Sequence, residues 1–426
     1  MSLSFIWRQN KHKQTNKQTM NINKITSLAA IAAISCAASG YAASNDALLD
    51  LLVKKGVLSQ TEATAVAVEL KEDQPVFVGV KGGAVESIKL TGRLHFQYDN
   101  IGNDGGFDER DRFSFRRIYL GAEAKFSEDW YGKLIMNFGG EDDSAAVDKA
   151  VVGWKYDPKA EFEFGYTKAP FGYYETTSSS KIKTVERSIA NRTFVENDGF
   201  RLGGRHTGAF AKGKLGSGFS YKAALVTSSP SNGRDDKSNG EKDGLGAFGR
   251  LQWKSDKTDN GQLLIGADVA FMQNGSDYAD KGSSKSGSGD SLAYGLHANY
   301  SIGDFNVSAE GLFGTIEEQK VAEEDINVFG FTVTPSYKIN DKWEVVAAYS
   351  TVDSDGGNLL DADDLVRRSE AGSGYDEGES VYLGFNYFIN GNDLKLSGGY
   401  EIANFEADGK DDLEVNAFRL RLQMLF

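Results

Sequence analysis

The chain reads as an all-β protein: a 16-stranded antiparallel transmembrane β-barrel carrying a short N-terminal helical hairpin. Three observations predict this. Apolar and polar residues alternate with period two in segment after segment from Lys89 to the end, the pattern of strands with two unlike faces. Tight turns and long acidic, Gly-rich stretches take turns in joining those segments, as in a meander of hairpins crossing a membrane. The chain closes on Phe418, Leu420, Leu422, Met424 and Phe426, interleaved with Arg419, Arg421 and Gln423. Such a strand suits hydrocarbon on one side and a water-filled lumen on the other.

Composition agrees. The 426 residues include 49 Gly, 26 Phe and 18 Tyr but only 5 Pro, a mixture that favours strands and tight turns and rarely interrupts a ladder. Past the N-terminal region no run of roughly 20 apolar residues occurs, so a helical membrane protein is excluded. A barrel is not, because half of each strand is polar.

Residues 1–42 are read as an N-terminal extension and a cleaved export signal. Met20 to Lys24 supplies a short cationic region, residues 25–38 an apolar core, and Gly40-Tyr41-Ala42 a small-residue cleavage site. Residues 1–19 fit no signal, which makes Met20 the expected start. The one cysteine, Cys36, falls inside the signal, so the exported chain uses no disulfides. Removing residues 1–42 takes away five basic residues and no acid, leaving 42 basic against 61 acidic, net −19.

Residues 43–75 form the helical hairpin. Asp46 to Lys55 has helical spacing with Gly56 as a stop, and Ser59-Gln60-Thr61-Glu62 is a capping box for a second helix to about Lys71. Packing on itself or the barrel and periplasmic self-association both fit this segment. The barrel occupies 76–426. Its stripes begin with Leu90, Gly92, Leu94, Phe96 and Tyr98, then Ile118 to Phe126, Trp130 to Phe138 and Phe162 to Tyr166. They resume at 292–302, 305–309, 343–349, 381–389, 394–402 and 418–426. Turns such as Gly303-Asp304 and Asn340-Asp341 are short, whereas 100–111, 228–243, 274–290 and 353–378 are long. About 16 strands fit, least clearly marked between 170 and 260, and an even count returns both ends to the periplasmic side. A soluble β-sandwich could alternate similarly, but the export signal, the aromatic residues at strand ends and the terminal Phe oppose it.

No catalytic constellation stands out: His95, His206 and His297 lie far apart, no metal-ligand spacing occurs, and no serine sits in a nucleophile elbow. The chain is therefore expected to be no enzyme and to need no cofactor or metal. Charge is more informative. Residues 168–214 carry nine basic residues against four acids, inside an acidic chain. Arg110, Arg112, Arg116 and Arg117 form a second basic knot. In a narrow lumen such side chains would attract anions, and Arg suits phosphate through its planar fork. Parity points Arg117 inward; Arg116 has the opposite parity and needs a bulge to reach the lumen.

The chain resembles the phosphate-selective porin O and P family of Gram-negative outer membranes. Four segments carry the likeness: Lys89 to Leu94, Phe115 to Gly121 leading into Asp129-Trp130-Tyr131, Phe164 to Gly172 followed by Thr177 to Ser180 and Glu186-Arg187-Ser188, and Arg419 to Phe426. The resemblance implies a trimeric porin of 16 strands whose inward-folded third loop, here 171–187, narrows the pore. It implies that the paired Arg116 and Arg117 help bind anion there, with Asp148 as the acidic residue nearby. Selective members carry a Lys soon after the Phe-Gly; here Tyr173, Tyr174 and Glu175 follow, and the nearest is Lys181.

The expected function is passive diffusion of small solutes with a moderate preference for anions, phosphate or polyphosphate foremost. Arg116, Arg117, Lys181, Lys183, Arg187 and Asp148 would line the constriction. The alternatives are a general or cation-leaning porin, argued by the net charge, and a structural or adhesive barrel with a blocked lumen. Expected partners are outer-membrane lipid and lipopolysaccharide, two further copies of the chain, small anions, and the assembly machinery through Phe426. No nucleic acid is expected.

Overall fold

The computed structural model describes residues 77–78, 84–139, 145–195, 200, 202–228, 244–276, 289–317, 325–362, 366 and 372–426. The expected signal and helical hairpin lie outside these residues. The chain divides into two compact units, Met1–Phe77 and Val78–Phe426, and the barrel belongs to the second.

Sixteen antiparallel strands close on themselves. They are β1 (Ser87–Asn103), β2 (Arg110–Lys125), β3 (Trp130–Asn137), β4 (Ala146–Asp157), β5 (Ala160–Lys168), β6 (Arg205–Gly216), β7 (Phe219–Thr227), β8 (Leu245–Lys254), β9 (Gln262–Ser276), β10 (Gly289–Ile302), β11 (Phe305–Ile316), β12 (Ile326–Lys338), β13 (Trp343–Asp353), β14 (Glu377–Asn390), β15 (Leu394–Glu406) and β16 (Leu413–Leu425). Each pairs with its sequence neighbour, and β16 pairs with β1 from Val415↔Asn103 to Leu425↔Arg93. Closure leaves no edge, which a hydrocarbon setting demands. No helix among the described residues is long and apolar enough to cross a membrane; strands do the crossing.

The alternation settles into two faces as the sequence predicts. On β16, Phe418, Leu422 and Met424 are exposed outward, while Arg419, Arg421 and Gln423 are buried inward. At the short-turn end, paired aromatics form a girdle: Trp130 stacks on Trp154 at 5.5 Å, and Trp343 lies tilted beside Tyr387 at 4.6 Å. Amphipathic rings favour this boundary between apolar and wet surroundings.

The long connection between β5 and β6, residues 169–204, turns into the lumen. It carries two short helices, α1 (Tyr173–Thr176) and α2 (Ile189–Val195). Every residue of α2 is buried. Phe194 stacks on Phe200 at 4.9 Å; both rings occupy a hollow at Gly314, where a Cβ would collide with them, and Phe194 also packs closely against Gly330. Inward residues of the long-loop half, among them Val226, Phe248, Met272, Leu312, Val328 and Val352, complete one apolar cluster with this loop. The outer half of the lumen is thus largely a packed core, not water. The sequence reading expected inward faces to be polar; in the long-loop half many are apolar instead, although Arg110 and Arg112 point inward there.

Candidate functional site: the constriction

The site begins with a bulge. In the β1–β2 pair, His95 faces Arg117 and Phe96 faces Phe115, so Arg116 is the extra residue. A bulge shifts parity by one. It therefore brings Arg110 and Arg112, which sit on even positions, onto the same inner wall as Arg117, while Phe113 and Phe115 face outward at 67% and 49% exposure. Without the extra residue, either the arginines at 110 and 112 or Arg117 would point into lipid.

The third loop enters at Gly172, whose φ of +74° is one that side chains rarely adopt. Its N–H donates to Asp268 of β9 at 3.0 Å, and the N–H of Tyr173 donates to Glu310 of β11. Asp268 also holds Arg250 in a fully buried ion pair. The Tyr174 hydroxyl donates to Thr334 at 2.9 Å. Lys183 pairs with Glu344, which also accepts from Asn386 at 3.0 Å. One side of the loop is thereby fixed to an acidic wall, β9 to β13.

Its other side meets a basic wall made by β16, β1 and β2. Glu186 is the hub. It accepts from Arg116 Nε at 3.1 Å and from Arg192 at 3.1 Å, and pairs with Arg421. Arg187 pairs with Glu175 at 3.0 Å and donates to the carbonyls of Tyr174, Glu175 and Thr177; it tethers the loop to itself. Asp148 lies at a second bulge, between Val147 and Lys149 on β4, and pairs with Arg205.

Of the six predicted site residues, then, Arg116, Lys183, Arg187 and Asp148 are held by opposite charges. Arg117 is different. It is 6% exposed, and its Nη1 has no hydrogen-bond partner among the described residues. Lys181 is exposed, and no carboxylate pairs with it among the described residues. Sequence reasoning missed Arg93. Its guanidinium donates to Ser179 Oγ at 2.6 Å and Ser178 Oγ at 3.0 Å, and lies 5.4 Å from the Tyr119 ring. Hydroxyls, not a directly paired carboxylate, fix its position among the described residues. Its inward parity, shared with His95 and Gln97, was the available signal.

Water has room on the remaining side. Lys133, Lys149 and Lys212, inward on β3, β4 and β6, keep 20–43% of their side chains exposed, each paired with a glutamate. Open lumen therefore lies against β2 to β6, with Arg93 partly exposed on the adjoining β1 and Arg117 buried on β2.

The family model described as "Phosphate-selective porin O and P" matches residues 88–426. The chain belongs to this family. Family and fold together make it an outer-membrane barrel channel for passive diffusion. The fold also resembles solved structures of low identity. The anion-selective porin from Comamonas acidovorans aligns at 12% identity over 80% of this chain and 99% of its own, TM-score 0.59. The outer-membrane channel DcaP of Acinetobacter baumannii aligns at 14% identity, over 82% and 100%, TM-score 0.56. The trimer form of OmpT from Vibrio cholerae aligns at 15% identity, over 80% and 99%, TM-score 0.52. A comparison with curated protein sequences found no match.

Proposed function

We propose that this porin conducts small anions in preference to cations, with phosphate-like oxyanions the best-suited solutes. One observation carries the reading: among the described residues neither Arg117 nor Arg93 forms a direct ion pair, and Arg93, partly exposed, is held by the hydroxyls of Ser178 and Ser179 where the third loop meets the open lumen. A buried unpaired charge is costly, and a passing anion offsets that cost while it stays. Exchange remains fast because Arg93 is held by neutral hydroxyls and the channel floor next to it is wet, so an anion is attracted but not trapped. Lys181, exposed on the loop, adds a further attractive charge. The pairing of Arg116, Arg187 and Lys183 makes them builders of the loop more than ligands, which fits a moderate selectivity. The net acidity of the chain matters less, since salt screens charge beyond roughly 8–10 Å.

The family and the trimer form of OmpT support a homotrimer, exported through a cleaved signal and surrounded by lipid and lipopolysaccharide. Phe426 is 64% exposed on the outer wall, where assembly machinery can reach it. The test is planar-bilayer recording in a potassium chloride gradient, with phosphate added. The expected results are a reversal potential of anionic sign and a chloride current reduced by millimolar phosphate. A cationic reversal potential overturns the proposal.

A further inference from the structure

A second connection also enters the barrel. Residues 354–376 join β13 to β14, and of these 354–362, 366 and 372–376 are described; a loop of this kind would ordinarily lie over the rim in water. Here Leu359, Leu360, Ala362, Val366 and Tyr375 are at most 4% exposed. What covers them is the inner wall: Ala403, Phe405, Leu413 and Val415 point inward, at most 1% exposed, and alternate with exposed Ile402, Asn404, Glu406 and Glu414. The Tyr375 ring lies 5.8 Å from Phe405. Deeper in, Arg419 pairs with Glu401 at 2.7 Å and donates to the Val366 carbonyl.

The stem is fixed as well. Ser354 N–H donates to the Asp376 carbonyl at 2.9 Å, and Asp376 N–H to that of Glu406 at 2.8 Å. The Asp376 carboxylate accepts from Ser354 Oγ at 2.6 Å and from Gly356 N–H at 2.8 Å. Lys410 sits 4.1 Å above the Tyr375 ring. An apolar underside and a hydrogen-bonded stem describe a wall, not a flap.

We propose that this connection is a second constriction, in series with the third loop, and that it sets the largest solute the channel admits. The third loop reaches from β9 to β14 on one side to β16, β1 and β2 on the other; this one fills the lumen against β15 and β16. Solutes are confined to the β2–β6 side from the outer mouth onward. The inference rests on the chain being a diffusion channel, not on its ion preference.

The test replaces residues 357–373 with a two-residue Gly-Ser link. Because Ser354 and Asp376 are already hydrogen-bonded, the flanking strands keep their register. Heat-modifiable mobility confirms the folded barrel. Single-channel conductance is expected to rise about twofold as the path widens, and proteoliposome swelling to admit larger sugars, with the chloride-to-potassium permeability ratio unchanged. The full-length double variant Leu359→Asp/Leu360→Asp, which unseats the loop without shortening it, should move both readouts the same way. Unchanged conductance and size limit in the folded variants overturn the proposal. So does a changed ion preference at unchanged conductance, which would make the loop an electrostatic element. A cation-selective parent channel would overturn the anion reading and leave this one standing.

Discussion

Replacing Arg117 by Gln removes a full charge from the inner wall on β2 while keeping a polar side chain of similar reach. Its size can be worked out. At contact, about 4 Å, a unit charge attracts a monovalent anion by about 1 kcal/mol in bulk water, and more where wall atoms exclude water. It repels a cation as strongly, so the contrast is about 2 kcal/mol, or roughly 30-fold in relative occupancy at low salt. Ions pass at several ångströms, Arg93 remains, and a screening length of roughly 8–10 Å trims the rest. A drop of roughly three- to tenfold in the anion-to-cation permeability ratio is therefore expected at about 0.1 M salt, and a smaller one at 1 M. Arg116→Gln should do less than half as much in logarithmic terms, because Arg116 already answers to Glu186. Arg116→Ala with Arg117→Ala should match or exceed the single change. Bilayer reversal potentials across a salt gradient measure all three. If folded Arg117→Gln channels keep the parent's reversal potential, the role assigned to the unpaired guanidinium is wrong.

Three further outcomes follow from the same contacts. Glu186→Gln deprives Arg116, Arg192 and Arg421 of their shared anion; breaking such a buried arrangement should cost about 3–5 kcal/mol in urea unfolding from lipid, and an unaltered midpoint would show the hub is dispensable. Asp268→Asn removes the carboxylate that holds Arg250 and the Gly172 N–H, so the third loop should fluctuate and single-channel current noise should increase; a channel as quiet as the parent would contradict the anchoring role. Gly92→Val places a Cβ about where the terminal ring lies, since even an ideal Cβ there comes within 2.1 Å of Phe426 Cζ. The heat-modifiable fraction should fall sharply, and normal folding would show that the C-terminal ring can move freely.

The barrel was legible because a two-sided environment imposes a local rule. One face meets hydrocarbon and the other does not, so each strand carries its own record of period two, as β1, β11 and β16 show. The inner loops were less legible. The segment from Ala169 to Gly204 shows no such period, since it packs against a curved wall through residues at irregular spacings. Leu413, Val415 and Ala417 continue the inward parity of Arg419 and Arg421, yet they are apolar because they share one buried cluster with Leu359, Leu360, Val366 and Tyr375. No local pattern reports that packing.

The candidate site divides in the same way. Arg116, Arg117 and the basic third loop could be picked out by residue type, and parity was enough to aim Arg117 inward. Pairing could not be read: Lys183 finds Glu344, Arg187 finds Glu175 and Arg205 finds Asp148 across separations in the chain that range from a dozen residues to well over a hundred.

Sequence alone determined the strand count, the two faces, the closing strand and the excess of basic residues near the third loop, because each is written in neighbouring residues. Tertiary structure decided which of those charges remain unneutralised, and where the lumen stays open. Both depend on carboxylates and apolar surfaces brought together only when the barrel closes around its loops, and electrostatic neutralisation follows distance in space, not order along the chain.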